Sequence, residues 1–272
     1  MSENLKPLKR FGQNFLVDAN VVRKIIAACD ISRTDYVLEI GSGNGALTLP
    51  LAQRAKRVVA VEIDRGRSLA LRQKMLGFTN TKIICQDILK FDLKKHISRA
   101  RSKRLKVIGN LPYYLTTPIL EYLLRHLSAI DDIYIMLQKE VAQRLTADRG
   151  SKAYSSLTCF VNYFCHPEIL FKIKSGSFFP KPKVESCFVH LKPRDKDEYG
   201  LRVRSQELLF KVIRHAFGQR RKTLLGSLSR AWPRQELLRL PQRALLERRP
   251  EELSLDDFVH LSNHVFDFSR ER

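Results

Sequence analysis

A glycine-rich turn between a buried strand and a helix constrains the fold of this chain more than any other feature. Residues 36–40 form a short apolar run, Gly41-Ser-Gly-Asn-Gly45 follows directly, and residues 46–55 show a helical pattern. Glycine adopts positive φ and lets the backbone approach a ligand closely. The unit therefore indicates an α/β sheet that binds a ligand at the carboxyl end of its first strand. The spacing also fits the dinucleotide pattern, so it does not separate NAD from another nucleoside.

Strand and helix patterns alternate through the first half of the chain. Apolar runs at 58–62, 82–85, 106–109 and 134–137 predict strands, and Asp18 can cap a helix over residues 19–29. This alternation predicts a parallel sheet with helices on both faces, a Rossmann-like α/β fold. Residues 184–191 alternate in polarity and predict an added antiparallel strand. After a polar linker at 193–200 the pattern is helical, which predicts an α/β domain over 1–194 and a small all-helical domain over 195–272.

The charge balance indicates a polyanionic partner. The chain has 49 Lys plus Arg against 28 Asp plus Glu, a net charge of +21, and such a surface attracts nucleic acid. With 44% apolar residues it can bury a core, and no apolar run approaches the roughly 18 residues of a membrane span. The N-terminus has no signal-peptide core, which predicts a cytoplasmic protein. Five cysteines without zinc-site spacing are expected to be reduced.

Two carboxylates follow successive predicted strands. Glu62 ends the second strand, and Asp87 comes just after the third. Carboxylates at these positions suit a ribose and an adenine amino group. Because the ends of parallel strands meet at one edge of the sheet, the two acids and the glycine loop together predict a nucleoside pocket.

The tetrapeptide Asn110-Leu-Pro-Tyr113 follows the fourth predicted strand. The N6 atom of adenine is a poor nucleophile because its lone pair is delocalised into the ring. Acceptors at its two N–H bonds would localise that lone pair, and the Asn110 side chain and the backbone carbonyls of Leu111 and Pro112 are candidates. Tyr113 offers a flat face for stacking a base. The alternative is a structural Asn-Pro turn with a core tyrosine.

Several sequence blocks together resemble the small-subunit rRNA adenine N6,N6-dimethyltransferase family. The blocks run from residue 9 to beyond residue 223, so the resemblance covers nearly the whole chain. They are Lys9-Arg-Phe-Gly-Gln-Asn-Phe-Leu16, Leu38-Glu-Ile-Gly-Ser-Gly-Asn-Gly-Ala-Leu-Thr48, Gly109-Asn-Leu-Pro-Tyr113, Met136-Leu-Gln-Lys-Glu-Val141, Ser151-Lys-Ala-Tyr154, Phe178-Phe-Pro-Lys-Pro-Lys-Val184 and Ala216-Phe-Gly-Gln-Arg-Arg-Lys-Thr223. Family members often have proline where Ser42 stands, but the glycines keep their register.

The resemblance implies an enzyme that uses S-adenosylmethionine, and no metal, to dimethylate two adjacent adenosines. These lie in a hairpin loop near the 3′ end of small-subunit rRNA, so the partner is the immature small subunit, and a monomer is expected. Because a sulfonium methyl donor is already activated, no strong general base is required. By position, the family's donor-binding residues match Asn14, Leu16, Gly41, Glu62, Asp87 and Asn110. Its base-contacting residues match Asn110, Tyr113 and Phe178, the last of which would cover the other face of the target base. With the backbone carbonyls of Leu111 and Pro112, these residues make up the predicted catalytic set.

Three other functions fit parts of the sequence. They are an adenine dimethylase of large-subunit rRNA of the antibiotic-resistance type, a noncatalytic ribosome-assembly or nucleic-acid-binding factor, and an NAD-dependent dehydrogenase. The block Phe217-Gly-Gln-Arg-Arg-Lys-Thr223 favours the small-subunit group. Basic residues cluster at 90–106, at Arg220-Arg-Lys222, and at Lys181 and Lys183. For the first cluster a solvated face is as good an interpretation as RNA contact, whereas the family block favours RNA contact at the second.

Overall fold

Strands and helices alternate along the first part of the chain, as predicted. The structure is a computed structural model that describes residues 7–8, 12–97, 105–195, 202–219, 221–241 and 243–270. Its strands are β1 (Phe15–Leu16), β2 (Tyr36–Ile40), β3 (Arg57–Glu62), β4 (Thr81–Cys85), β5 (Leu105–Asn110), β6 (Asp132–Gln138), β7 (Cys165–Ile173), β8 (Phe178–Phe179) and β9 (Ser186–Pro193). Its helices are α1 (Ala19–Ala28), α2 (Thr48–Arg54), α3 (Arg65–Lys74), α4 (Leu93–Ile97), α5 (Thr116–Leu124), α6 (Lys139–Leu145), α7 (Ser156–Phe164), α8 (Gln206–Phe217), α9 (Leu224–Leu228), α10 (Arg234–Leu237), α11 (Ala244–Glu247) and α12 (Leu255–Arg270).

Seven strands form one sheet in the order β4-β3-β2-β5-β6-β9-β7. The pairs β2–β3, β3–β4, β2–β5 and β5–β6 are parallel, whereas β9 runs antiparallel to β6. These pairings confirm the predicted α/β sheet and its added antiparallel strand. The chain moves outward from β2 to β4 and returns to the other side of β2 with β5, so the strand order reverses between β2 and β5. Open α/β sheets bind ligands at such a reversal, beyond the carboxyl ends of the strands.

Aspartates begin two of the helices that follow strands. Asp18 Oδ1 accepts the N–H groups of Asn20 and Val21 at 2.9 and 3.3 Å, which confirms the predicted start of α1. Asp64 Oδ1 accepts the N–H of Arg67 at 3.2 Å and begins α3. Each carboxylate binds amides that lack partners within the helix and also faces the positive end of the helix dipole. The short connection from β3 to α3 is thereby fixed next to the sheet edge.

Lys106, the last residue of the basic cluster at 90–106, belongs to the interior. Its Nζ lies 3.3 Å from the buried carboxylate of Asp35 and donates to the carbonyls of Cys29 and Asp30. A lysine held by three oxygens is not available to a phosphate. Residues 98–104 of the cluster, like Arg220 of the second cluster, lie outside the described residues.

Packing divides the chain into two compact units. The first contains the described residues up to Ala142 together with Glu168–Pro193, and the second contains Gln143–Pro167 and the described residues from Arg194 onward. The predicted boundary between residues 194 and 195 places residues 143–167 in the first domain, whereas in the structure they belong to the second unit. The physical reason is that Cys159 and Tyr163 of α7 lie in one hydrophobic cluster with Leu209 and Phe258 of the C-terminal helices.

The second unit is built from helices around its own core. Every regular element described from residue 202 onward is helical, in agreement with the predicted helical pattern. Its core side chains, all buried, include those of Leu224, Leu228, Leu253 and Leu261. None of the helices in the described ranges combines the length and the apolar character needed to cross a membrane.

Candidate active site

An open cavity lies beyond the carboxyl ends of β2, β3, β4 and β5. It is the position that the reversal of strand order predicts for a ligand. The structure brings eight of the ten predicted site residues to its wall, and two lie elsewhere. The eight are Asn14, Gly41, Glu62, Asp87, Asn110, Leu111, Pro112 and Tyr113.

The glycine loop has the backbone that only glycine adopts without strain. Gly41, Gly43 and Gly45 have φ values of +71°, +52° and +81°. A Cβ atom on Gly43 would lie 2.9 Å from the ring of Phe15, which lines the cavity, so a side chain there would push into the wall. The missing side chain at Gly43 therefore lets the Phe15 ring pack directly against the loop backbone, and both line the cavity.

Glu62 braces the glycine loop. Its Oε2 accepts the N–H of Gly43 at 2.7 Å, and its Oε1 accepts the N–H of Asp64 at 3.0 Å. The side chain is buried, and burial raises its pKa above the ordinary value. Each carboxylate oxygen has a second lone pair. Glu62 can therefore brace the loop and still accept a hydrogen bond from a ligand hydroxyl.

Asp87 occupies a similar position after β4. Its Oδ1 accepts the N–H of Leu89 at 2.9 Å and begins the short 3₁₀ helix Ile88–Lys90. The residue is half-buried and lines the cavity. One carboxylate oxygen is thus used by the backbone, and the other remains for a ligand.

The segment before β1, residues 12–14, forms one wall of the cavity. Of these residues, only Asn14 was among the predicted site residues. Gln13 Nε2 donates to Asp64 Oδ2 at 3.1 Å, and the guanidinium of Arg67 lies 3.9 Å from the centre of the Phe15 ring. Arg67 is buried beside Asp64. The resemblance placed Gln13 and Phe15 in a family block, but no local pattern pointed to Arg67.

Asn110 is oriented by the same segment. Its Nδ2 donates to the Asn14 carbonyl at 2.7 Å, so the donor half of the amide is used. The Oδ1 atom has no hydrogen-bond partner among the described residues and is available as an acceptor. This is the orientation that the predicted role requires.

The turn after Asn110 corrects one part of the prediction. The Pro112 carbonyl accepts the N–H of Leu115 at 3.0 Å and faces the Thr116 hydroxyl at 3.5 Å. It is therefore used within the chain and is a poor candidate for binding the amino group of a base. The Leu111 carbonyl accepts no hydrogen bond within the described residues, so Asn110 Oδ1 and the Leu111 carbonyl are the available pair.

Tyr113 is held in place by a residue that the sequence did not identify. Its hydroxyl forms a 2.8 Å hydrogen bond with Oγ of Ser186, a fully buried residue on β9. Burial raises the pKa of the Tyr113 hydroxyl, which therefore stays protonated at neutral pH. A ring fixed at its far end is suited to stacking because little freedom remains to be lost on binding.

Leu16 and Phe178 are the two predicted residues outside the main cavity wall. They face each other in the β1–β8 pair and are both buried in the hydrophobic cluster under the sheet. Phe178 is 3% exposed, so it presents no face to a base, whereas Phe179 is 61% exposed. In this structure Phe178 packs in the core, and its expected stacking role stays a prediction. Leu16 instead lines a smaller adjoining cavity together with Glu39 and Ser42.

The described residues contain no group of three or more His, Cys, Asp or Glu side chains that could hold a metal ion. The chemical groups at the cavity are instead hydrogen-bond acceptors, glycine backbone and aromatic rings.

The sheet and the cavity define a class of protein. This sheet is largely parallel and seven-stranded, with a glycine loop after β2 and acids at the end of β3 and just after β4. It is the Rossmann-like fold of S-adenosylmethionine-dependent methyltransferases. A family model described as ribosomal RNA adenine dimethylase matches residues 4–265. The chain belongs to this family.

Relatives and solved structures agree with this assignment. Ribosomal RNA small subunit methyltransferase A of Alkaliphilus metalliredigens is 40% identical over 94% of this chain and 91% of its own length. The protein of the same name from Clostridioides difficile is 39% identical over 96% and 92%. A dimethyladenosine transferase from Plasmodium falciparum superposes with a TM-score of 0.79 at 26% identity, covering 94% of this chain and 98% of its own. The 23S rRNA methyltransferase ErmE superposes with a TM-score of 0.67 at 25% identity, covering 93% and 100%.

Proposed function

We propose that this enzyme transfers methyl groups from S-adenosylmethionine to N6 of two adjacent adenosines in a hairpin loop near the 3′ end of small-subunit rRNA. The observation that carries the proposal is the orientation of Asn110, whose Oδ1 is left as an acceptor beside the Leu111 carbonyl and Tyr113. The partner is the immature small subunit in the cytoplasm, and we propose that the protein acts as a monomer.

The cavity fits the methyl donor. The glycine loop forms part of the cavity wall through Gly41 and Gly43, and Glu62 and Asp87 retain acceptor positions for a ribose and an adenine. In the adjoining cavity, Oε2 of Glu39 and Oγ of Ser42 are buried without hydrogen-bond partners in the described chain, which suits the polar amino-acid end of the donor. S-adenosylmethionine supplies an electrophilic methyl group on a sulfonium.

The chain's own residues orient the acceptor base. Asn110 Oδ1 and the Leu111 carbonyl accept the two N–H bonds of the adenine amino group and hold its lone pair out of conjugation with the ring. Tyr113, held by Ser186, stacks on the extruded base. After the first transfer N6 has one N–H left. The pair of acceptors therefore explains the first methylation of each base more fully than the second.

The alternative functions are less well supported. Small-subunit enzymes are about 40% identical to this chain, whereas the large-subunit enzyme is 25% identical. A purely noncatalytic assembly factor would have no use for the oriented Asn110 amide, although a role in subunit assembly is compatible with catalysis. An NAD-dependent dehydrogenase is excluded by the family assignment.

Methyl transfer to small subunits tests the function directly. Unmethylated subunits are incubated with radiolabelled S-adenosylmethionine, and the label is mapped on the rRNA. We expect dimethylation of two adjacent adenosines near the 3′ end. Label on large-subunit RNA alone would establish the alternative target, and no label in adenosine would overturn the assignment.

Replacing Glu62 by glutamine is expected to weaken donor binding by about 10- to 100-fold. A glutamine side chain has one acceptor oxygen, so it cannot serve both the Gly43 and Asp64 amides, and a buried amide left unpaired costs about 1–3 kcal/mol. The measurement is a calorimetric titration with S-adenosylmethionine. The control is Glu121→Gln, a partly exposed residue on α5, and equal affinities for the two variants would rule out the bracing role.

Exposed basic side chains in the segment after β8 are expected to make RNA binding strongly salt-dependent. Lys181 and Lys183 are both exposed, and each phosphate contact contributes about −0.7 to −0.9 to the slope of log K against log salt. The double variant Lys181→Gln/Lys183→Gln should reduce that slope by about one to two, measured by titrating unmethylated subunits at several salt concentrations. Lys82→Gln, an exposed lysine on β4, is the control. An unchanged slope in the double variant would remove these lysines from the interface.

A further inference from the structure

Tyr114 is an exposed aromatic residue at the cavity that the proposed reaction does not use. It follows Tyr113 on the short 3₁₀ helix Tyr113–Leu115 and lines the same cavity. The residue is 54% exposed, and its ring has no aromatic partner among the described residues. An uncovered aromatic ring beside a nucleoside cavity is a candidate stacking surface.

The ring lies against the backbone of the segment before β1. A Cβ atom on Gly12 would be 3.2 Å from Cδ1 and 3.5 Å from Cε1 of Tyr114, and Gly12 itself has a φ of +55°. A glycine at this point therefore lets the backbone approach the ring closely. The contact limits the positions open to Tyr114 while leaving much of the ring accessible.

The two tyrosines are held from different directions. Side chains that are consecutive on a 3₁₀ helix are about 120° apart. Tyr113 reaches Ser186 on β9, whereas Tyr114 lies against Gly12. Because different partners hold the two rings, each can take its own base.

We propose that Tyr114 stacks on the nucleotide next to the target adenosine, so that the adjacent pair is bound as a unit; this rests on the function proposed above. Extruding one base removes the stacking partner of its neighbour, and the Tyr114 ring replaces that partner. The contact uses only the face of the base, which methylation at N6 leaves in place. Tyr114 can therefore serve whichever adenosine is not in the pocket, before and after the first dimethylation.

Truncation of the ring tests the contact. Because base–aromatic stacking is worth about 1–3 kcal/mol, Tyr114→Ala should lower kcat/KM for unmethylated small subunits by about 5- to 100-fold, mostly through KM. Tyr114→Phe keeps the ring and should stay within about twofold of wild type. Affinity for S-adenosylmethionine should not change in either variant. If Tyr114→Ala lost affinity for S-adenosylmethionine by the same factor as it lost kcat/KM, the ring would belong to the S-adenosylmethionine pocket. That result would overturn the proposal.

The neighbouring base is tested by a double-mutant cycle. Subunits in which either adenosine is replaced by uridine, whose smaller ring stacks less, are methylated at the remaining adenosine. We expect the effect of Tyr114→Ala on kcat/KM to be severalfold smaller for these subunits, because uridine already weakens the stacking that the variant would remove. An undiminished effect, or no effect on either substrate, overturns the proposal. Leu76→Ala, at a 79% exposed position, controls for surface truncation. Failure of the wild-type protein to methylate any subunit would instead refute the proposed function.

Discussion

Replacing Asn110 by alanine is expected to lower the rate of methyl transfer by at least about 100-fold, while binding of the small subunit stays within a few-fold of wild type. Positive charge develops on N6 as the new bond forms, and an oriented acceptor stabilises that charge. Loss of one such preorganised group costs about 10²–10³ in kcat in other enzymes. The measurement is single-turnover methylation of unmethylated subunits, with subunit affinity determined separately.

The second contact of Asn110 must be separated from this effect. Its Nδ2 donates to the Asn14 carbonyl, so the alanine variant also releases the segment beside the cavity. Asn110→Asp keeps acceptor oxygens but cannot donate to that carbonyl. If the acceptor oxygen of residue 110 promotes methyl transfer, Asn110→Asp should bind S-adenosylmethionine more weakly than wild type. It should still transfer the methyl group faster than Asn110→Ala. Turnover of Asn110→Ala within a few-fold of wild type would contradict the proposed role.

The sequence predicts the position of the site because the site follows from topology. Gly41, Glu62, Asp87 and Asn110 come at or just after four apolar runs, and the carboxyl ends of parallel strands meet at one edge. No contact between distant residues was needed for that inference. The strand β7 was not predicted, because only two of its nine residues are buried and its sequence lacks a regular apolar alternation.

The contacts that orient the site could not be predicted in the same way. The hydrogen bonds of Tyr113 to Ser186 and of Asn110 to Asn14 join residues 73 and 96 positions apart. Their geometry depends on packing across several elements.

The Phe178-Phe179 pair shows a second limit. Consecutive side chains on a strand point to opposite sides, so one phenylalanine faces the core and the other faces outward. Pairing of β8 with β1 buries Phe178 and exposes Phe179. A shift of one residue would exchange the two. The family block identifies the pair but contains no information on this register.

Glu39 is expected to make the free energy of unfolding fall as the pH rises. The residue lies on β2, two residues before Gly41 of the glycine loop, and is 2% exposed. Its Oε2 has no hydrogen-bond partner in the described chain. Burial, with a further contribution from the charge of Glu62, raises the pKa of Glu39 from 4.5 to about 8. At neutral pH the folded protein therefore holds a proton that the unfolded chain has released.

The sign and size of the effect follow from this difference in bound protons. The stabilisation is fully present below pH 4.5 and is lost as the pH rises to about 8, at up to about 1.4 kcal/mol per pH unit. Glu39→Gln removes the titrating group but keeps its shape. Between about pH 6 and about pH 8, wild type should lose about 2 kcal/mol relative to this variant in urea unfolding without the donor. Glu121→Gln should follow wild type, and parallel pH curves for wild type and Glu39→Gln would show that Glu39 is ionised in the folded protein.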